Sequence, residues 1–215
     1  MKIALFGATG RIGQIVLRRA LEQGYQVNAY SRREITTSHE ELTVIRGELA
    51  EEEKVRQAIH GVDAVVCVLG EFRQLDVIPP AYERILKVMQ EENVSRFITL
   101  LTPASISHPK DKICMATVFP KIAVRIKDSK ESLIGSQKVA QMVANSPLQW
   151  TIVRCIWPID APYTGKVNAG YGVPLGEKNM HPIKVKISRE DIAQFLLDQV
   201  KSKRYICDMP IIGGF

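Results

Sequence analysis

No apolar run in this chain approaches the roughly 18 residues needed to cross a bilayer. The longest, Ala64 to Gly70 and Phe97 to Leu101, are the size of strands, so we expect no membrane-embedded part. The opening Met1-Lys2-Ile3-Ala4-Leu5-Phe6 meets Gly7, Gly10 and Arg11 before a signal-peptide core of usual length has formed. It reads as the first strand of a cytoplasmic protein. Cysteine is also sparse: Cys67, Cys114, Cys155 and Cys207 include no C-x-x-C pair and have no histidines near them at ligand spacing. That argues against a zinc or iron–sulfur site, and we expect no metal. Cys67 and Cys155 fall in apolar runs and read as buried, reduced thiols.

Charge is modest, with 29 basic and 23 acidic residues giving +6. This permits an anionic partner, either nucleic acid or a phosphorylated cofactor. The basic residues are scattered and no stacking aromatics are interleaved with them, so we expect no nucleic acid. At 46% hydrophobic and 24% charged, the 215 residues have globular composition and suit one domain spanning 1–215.

Short apolar runs alternate with segments of helical period. The strand candidates are Lys2 to Phe6, Gln26 to Tyr30, Thr43 to Arg46, Ala64 to Leu69, Arg96 to Leu101, Trp150 to Trp157, and one within Tyr205 to Ile212. The helix candidates are Arg11 to Gln23, Glu51 to His60, Tyr82 to Glu92, Ser136 to Asn145 and Arg189 to Val200. Ser188 followed by Asp191 is a capping pattern for the last of these. Nearly continuous apolar strands between helices predict a doubly wound α/β fold with a parallel sheet. Residues 160–186, rich in Gly and Pro, break the alternation and read as a small flap on the substrate side or as an irregular connection.

Gly7-Ala8-Thr9-Gly10-Arg11-Ile12-Gly13 directly follows the first strand and opens the first helix. Glycines there allow a tight turn and close approach of a pyrophosphate to the unpaired N–H groups of a helix N-terminus. The spacing is G-x-x-G-x-x-G, and the expected ligand is a dinucleotide held by Gly7, Thr9, Gly10, Arg11, Ile12 and Gly13. After the second strand comes Tyr30-Ser31-Arg32-Arg33, where an NAD site usually has an acidic residue. A guanidinium suits a 2′-phosphate, so Arg32, with Ser31 donating a hydrogen bond, predicts NADPH in preference to NADH.

These motifs, together with Gly47-Glu48-Leu49, Asp63-Ala64-Val65-Val66, Trp150-Thr151-Ile152-Val153-Arg154 and Ile187-Ser188-Arg189-Glu190-Asp191-Ile192-Ala193, resemble a known family. They look like the atypical short-chain dehydrogenase/reductases, especially the NmrA-like proteins and the biliverdin-IXβ/flavin reductase type. The resemblance implies a Rossmann fold, with Glu48 and Leu49 near the adenine and Leu69 and Gly70 lining the cofactor. It also implies that Thr102, at the end of the fifth strand, lies by the nicotinamide. Glu48 stands where the family usually has Asp, and Cys155 where proline commonly follows the arginine.

Members of that superfamily typically use Y-x-x-x-K, in which lysine lowers the tyrosine pKa for proton transfer. No tyrosine here is followed by lysine four positions later, and the corresponding helix offers Ser132 and Ser136. Epimerase, dehydratase and alcohol dehydrogenase chemistry is therefore disfavoured. Hydride transfer to a flat small-molecule acceptor of flavin, quinone or tetrapyrrole type remains, and is what the flavin reductase resemblance implies. The NmrA-like resemblance implies an alternative, a non-catalytic NADP sensor acting on a protein partner. His108 lies near the same sheet edge as Thr102 and is the candidate proton donor. Ile156 and Trp157, after the sixth strand, can flank the nicotinamide, although Trp157 reads better as packing. Lys138 and Arg154 are open between site and structural roles.

Overall fold

The first strand, β1 (Lys2–Phe6), buries Ile3, Ala4, Leu5 and Phe6 completely, which requires cover on both faces of the sheet. In a computed structural model, which describes residues 1–70, 72–111, 127–171 and 186–214, β1 lies inside an eight-stranded sheet. On one side are β2 (Gln26–Ser31) and the edge strand β3 (Leu42–Arg46); on the other are β4 (Ala64–Cys67), β5 (Arg96–Leu101) and β6 (Gln149–Cys155), all parallel. A short β10 (Ile211–Gly213) continues the sheet parallel to β6, and β8 (Asn168–Gly170) closes it antiparallel. Two more strands, β7 (Trp157–Ile159) and β9 (Lys186–Ser188), pair with each other in a separate small sheet.

Helices cover both faces, as the alternation predicts. Against one face lie α1 (Gly13–Glu22) and α5 (Arg189–Lys201), packing Val16, Leu17, Ile192 and Leu196 onto Ile3 and Leu5. Against the other lie α2 (Glu52–Ile59), α3 (Ile78–Glu91) and α4 (Lys127–Ala144), packing Val55, Ile85, Met89 and Val139 onto Ala4 and Phe6. The capping pattern read at Ser188 is present: its Oγ accepts from the Asp191 N–H at 2.9 Å, an interaction of about 1 kcal/mol. At the opposite end of α5, buried Arg96 donates twice to the Gln199 carbonyl, at 3.0 and 2.7 Å. That cation faces the negative end of the helix dipole, while desolvation lowers its pKa to about 10. Among the described residues no helix is long and apolar enough to cross a membrane.

Several boundaries differ from the sequence reading. The run Trp150 to Trp157 is two strands: β6 ends at Cys155 and the chain bends at Ile156 before β7. Trp157 is 56% exposed, not packed, with the Lys186 ammonium over its ring. Helix α3 starts at Ile78, ahead of Tyr82, because proline in a first turn gives up an N–H that has no helical partner anyway. Helix α4 starts nine residues before Ser136, and β4 stops at Cys67, two residues short of Leu69. The segment 160–186 contains a strand of the main sheet, β8, and its residues 172–185, including His181, lie outside the described residues, as does Cys114.

Candidate functional site

The turn after β1 is closed by its glycines. Gly7 adopts φ +88°, and the Gly10 N–H donates to the Gly7 carbonyl at 2.9 Å. A Cβ on Gly13 would fall 1.9 Å from that carbonyl, so only glycine allows α1 to start against the turn. Ile12, the N-cap, makes no side-chain hydrogen bond to the helix. The Gln14 N–H donates to the Gly10 carbonyl at 2.9 Å, so the Gly13 N–H and the positive end of the helix dipole are what the first turn offers an anion.

Strand β2 delivers the basic pair beside this loop. The Ser31 Oγ accepts from the Arg33 N–H at 3.1 Å, and the Arg33 guanidinium turns back to donate to the Thr9 carbonyl (3.2 Å) and Oγ1 (3.0 Å). Arg32 is exposed and makes no hydrogen bond or ion pair among the described residues. After β3, buried Tyr30 donates to the Glu48 carbonyl at 2.6 Å and Arg84 donates to the Leu49 carbonyl at 2.6 Å, fixing that corner. Burial, followed by the charges of Glu51 and Glu48, pushes the Tyr30 hydroxyl up to about 12, so it stays a donor.

Between these segments and the tip of β4 lies a cleft of about 600 Å³. Ten of the fourteen residues predicted for the cofactor line it: Gly7, Thr9, Gly10, Arg11, Ile12, Ser31, Arg32, Leu49, Leu69 and Gly70. Gly13 sits behind the loop and Glu48 beside Leu49, while Thr102 and Ile156 do not line this cleft. Arg33, Arg189 and Pro158 are among the lining residues that the sequence reading missed. Arg33 was in view as the neighbour of Arg32, and Arg189 as the first residue of a helix, but neither carried a signal that it turned inward. Among the described residues the lining holds four arginines, Arg11, Arg32, Arg33 and Arg189, and no carboxylate, while Asp160 at the rim pairs with Arg11 and Arg189. A Cβ on Gly70 would meet nothing within 4 Å, so the strand tip is open to the cleft. A groove of about 690 Å³ on the other side of the loop, between α1 and residues 34–39, has mixed charge, with Arg18 beside Glu22 and Glu34. Of these two hollows the cationic one lies against the glycine loop and the basic residues that follow β2.

The other predicted residues fall elsewhere. Thr102 is exposed at the end of β5, with its Oγ1 3.3 Å from the Ser105 Oγ. His108 stacks on Tyr171 at 4.3 Å, accepts the Lys110 N–H at Nδ1 (3.0 Å) and sets Nε2 3.4 Å from Asp208. Tyr171 also donates to Asp208, which with burial pushes its pKa up to about 12. Arg154 is fully buried and paired with Asp111, and Lys138 is exposed on α4, so neither lines the cleft.

The chain belongs to the NAD(P)H-binding family, whose sequence model matches residues 7–203. It is 24% identical over 222 residues to the isoflavone reductase homolog A622 of Nicotiana tabacum, with 94% of this chain and 65% of that protein aligned. The chain therefore spans about two thirds of the length of that relative. Its fold matches a short-chain dehydrogenase/reductase of Veillonella parvula DSM 2008 in complex with NADP, with a TM-score of 0.77 and 19% identity over 99% of this chain and 94% of the other. It also matches a protein of Streptococcus pneumoniae TIGR4 described as a candidate NADH-flavin reductase, with a TM-score of 0.75 and 21% identity over 100% of both chains.

Proposed function

We propose that this protein is an oxidoreductase that uses NADPH in preference to NADH and reduces a flat, conjugated acceptor of flavin, quinone or tetrapyrrole type. The observation that carries this reading is the cleft beside the N-terminus of α1, whose described lining holds four arginines, of which Arg11 and Arg189 pair with Asp160 at the rim and Arg32 has no partner among the described residues. The chemistry a bound NADPH supplies is hydride transfer. In this reading the loop amides from Arg11 to Gly13 hold the diphosphate, and Arg32 turns onto the 2′-phosphate. Arg33 props the loop from Thr9. Leu49 and the clamped Glu48 backbone bound the adenine side, and Leu69 and Gly70 form the floor towards β5. Thr102 orients the acceptor or the carboxamide, with Ile156 at its flank.

The acceptor class follows from what the proton-handling positions contain. On α4, the buried Ser136 Oγ donates to the Leu133 carbonyl at 2.9 Å, and no tyrosine–lysine pair exists in the sequence. An acceptor that takes hydride at an electrophilic ring and exchanges its proton with water needs no such pair. His108, held by Asp208 and Tyr171, serves in this reading to fix the loop after Thr102 rather than to donate a proton. The same lack of a proton carrier favours a second reading, an NADP-binding sensor that turns nothing over.

The test is NADPH consumption by the purified protein with FMN, riboflavin and quinones, with Thr102→Val in parallel. Turnover that falls in the variant is expected. Tight NADPH binding with no turnover of any acceptor would replace the reductase with the sensor.

A further inference from the structure

Asp160 follows β7 at the rim of the cleft and joins two cleft arginines that lie far apart in sequence. Its Oδ2 accepts from Arg11 Nη2, on the glycine loop, and its Oδ1 accepts from Arg189 Nη1 at 2.6 Å, at the start of α5. The Asp160 side chain is 70% exposed and that of Arg11 is 69% exposed, whereas Arg189 is only 12% exposed. An ion pair this open to water adds little to stability, so it does not by itself account for two guanidiniums converging on one carboxylate. Each arginine takes a different oxygen of the same anionic group, which is the way a phosphate is shared between two guanidiniums. The other cationic lining residues, Arg32 and Arg33, lie at the β2 side of the cleft, so the Arg11–Arg189 pair makes a second positive centre.

We propose that Arg11 and Arg189 form a phosphate-binding subsite and that Asp160 is its internal stand-in, displaced when a phosphate enters. The proposal rests on the reading of the cleft as a dinucleotide site and deepens it. Arg189 is the fixed floor of the subsite, because it is nearly buried. Arg11 and Asp160 are the parts free to move, being exposed side chains on the loop and beyond the end of β7. Two phosphates can fill this place: the diphosphate of the dinucleotide, or a phosphate carried by the acceptor.

The test starts with inorganic pyrophosphate, titrated calorimetrically into the wild type, Asp160→Asn and Arg189→Gln, which reads the subsite without any dinucleotide. Removing the competing carboxylate should tighten pyrophosphate binding by roughly three- to tenfold, and removing the guanidinium should weaken it by about tenfold. Asp160→Asn keeps shape at an exposed position, so its gain in affinity stands even if Arg189→Gln folds poorly. If the affinity for NADP⁺ follows that for pyrophosphate across the three proteins, the phosphate belongs to the dinucleotide. If NADP⁺ binding is unchanged while KM moves for FMN and not for riboflavin, which lacks only the phosphate, it belongs to the acceptor. Equal pyrophosphate affinity in all three proteins overturns the subsite, whether or not NADPH is consumed. A pyrophosphate response in a protein that reduces no acceptor would instead remove the reductase reading and leave the subsite standing.

Discussion

Arg154, fully buried on β6, grips Asp111 with both terminal nitrogens, at 2.6 and 2.8 Å. Its Nε donates to the Met209 carbonyl at 2.8 Å, and its Nη1 also donates to the Ile106 carbonyl at 2.9 Å. One guanidinium therefore ties the loop that leaves Thr102 to the strand beside it and to the segment entering β10. The position of Thr102 at the sheet edge depends on this anchor.

Removing the carboxylate should be costly, because it strands a charge that has no access to water. Asp111→Ala is expected to destabilise the fold by about 3–5 kcal/mol. Replacing both partners with apolar residues, Arg154→Met with Asp111→Leu, should recover a large part of that loss. Urea unfolding of the three proteins checks this, and a single variant as stable as the wild type would show that the pair does not hold the loop.

The glycine turn gives a second prediction. A methyl group on Gly13 would press on the Gly7 carbonyl at 1.9 Å, so the turn must open or α1 must shift. Gly13→Ala should lower stability by about 1–3 kcal/mol. It should also weaken NADP⁺ by at least roughly tenfold, or about 1.4 kcal/mol. Calorimetric titration against thermal unfolding separates the two effects. Unchanged affinity in a folded variant would remove the turn from the binding site.

Alkaline stability follows from the buried thiols. Burial pushes Cys67 and Cys155 from an ordinary value near 9 up to about 12. Between pH 9 and about 12 the folded chain therefore keeps protons that the unfolded chain has released. The unfolded state then binds fewer protons, and stability falls as pH rises, by about 1.4 kcal/mol per pH unit for each thiol. The contribution is fully present below pH 9 and is lost as pH climbs through the folded values. Cys155→Ala should flatten the decline. The urea midpoint measured as a function of pH reads the effect, and a midpoint level up to pH 12 would contradict it.

How much of this could be read from the sequence depends on how local the signal was. Strand β1 and the start of α5 appear where they were expected, since four consecutive buried residues and a Ser188–Asp191 cap each announce themselves within a few positions. Strands β7 and β9 did not, because three-residue strands carry no usable period and Pro158 argues against one. The first turns of α4, Lys127 to Ser132, are almost wholly polar and offered no apolar stripe. At the site, the glycine loop was legible by its context. The roles of neighbours were not: nothing local says that Arg33 turns back onto Thr9 while Arg32 stays free, or that Asp160 reaches Arg11 across 149 residues. Such pairings are decided by the assembled fold.

The division between the two adjacent arginines sets the last prediction. Arg33 spends its Nη2 on Thr9, so its replacement should loosen the loop for either cofactor. Arg32 has no partner among the described residues and is the guanidinium available to a 2′-phosphate. A charge-assisted bond of about 1.5–3 kcal/mol corresponds to roughly a ten- to hundredfold preference for NADPH. Arg32→Ala should therefore raise Kd for NADPH by that factor while leaving NADH nearly unchanged, and Arg33→Ala should raise both together. Direct titration of both cofactors into both variants decides it. If Arg33→Ala alone erases the preference, the guanidinium must leave Thr9 on binding and the roles of the pair are reversed; if neither variant shifts the ratio, selectivity does not come from this strand.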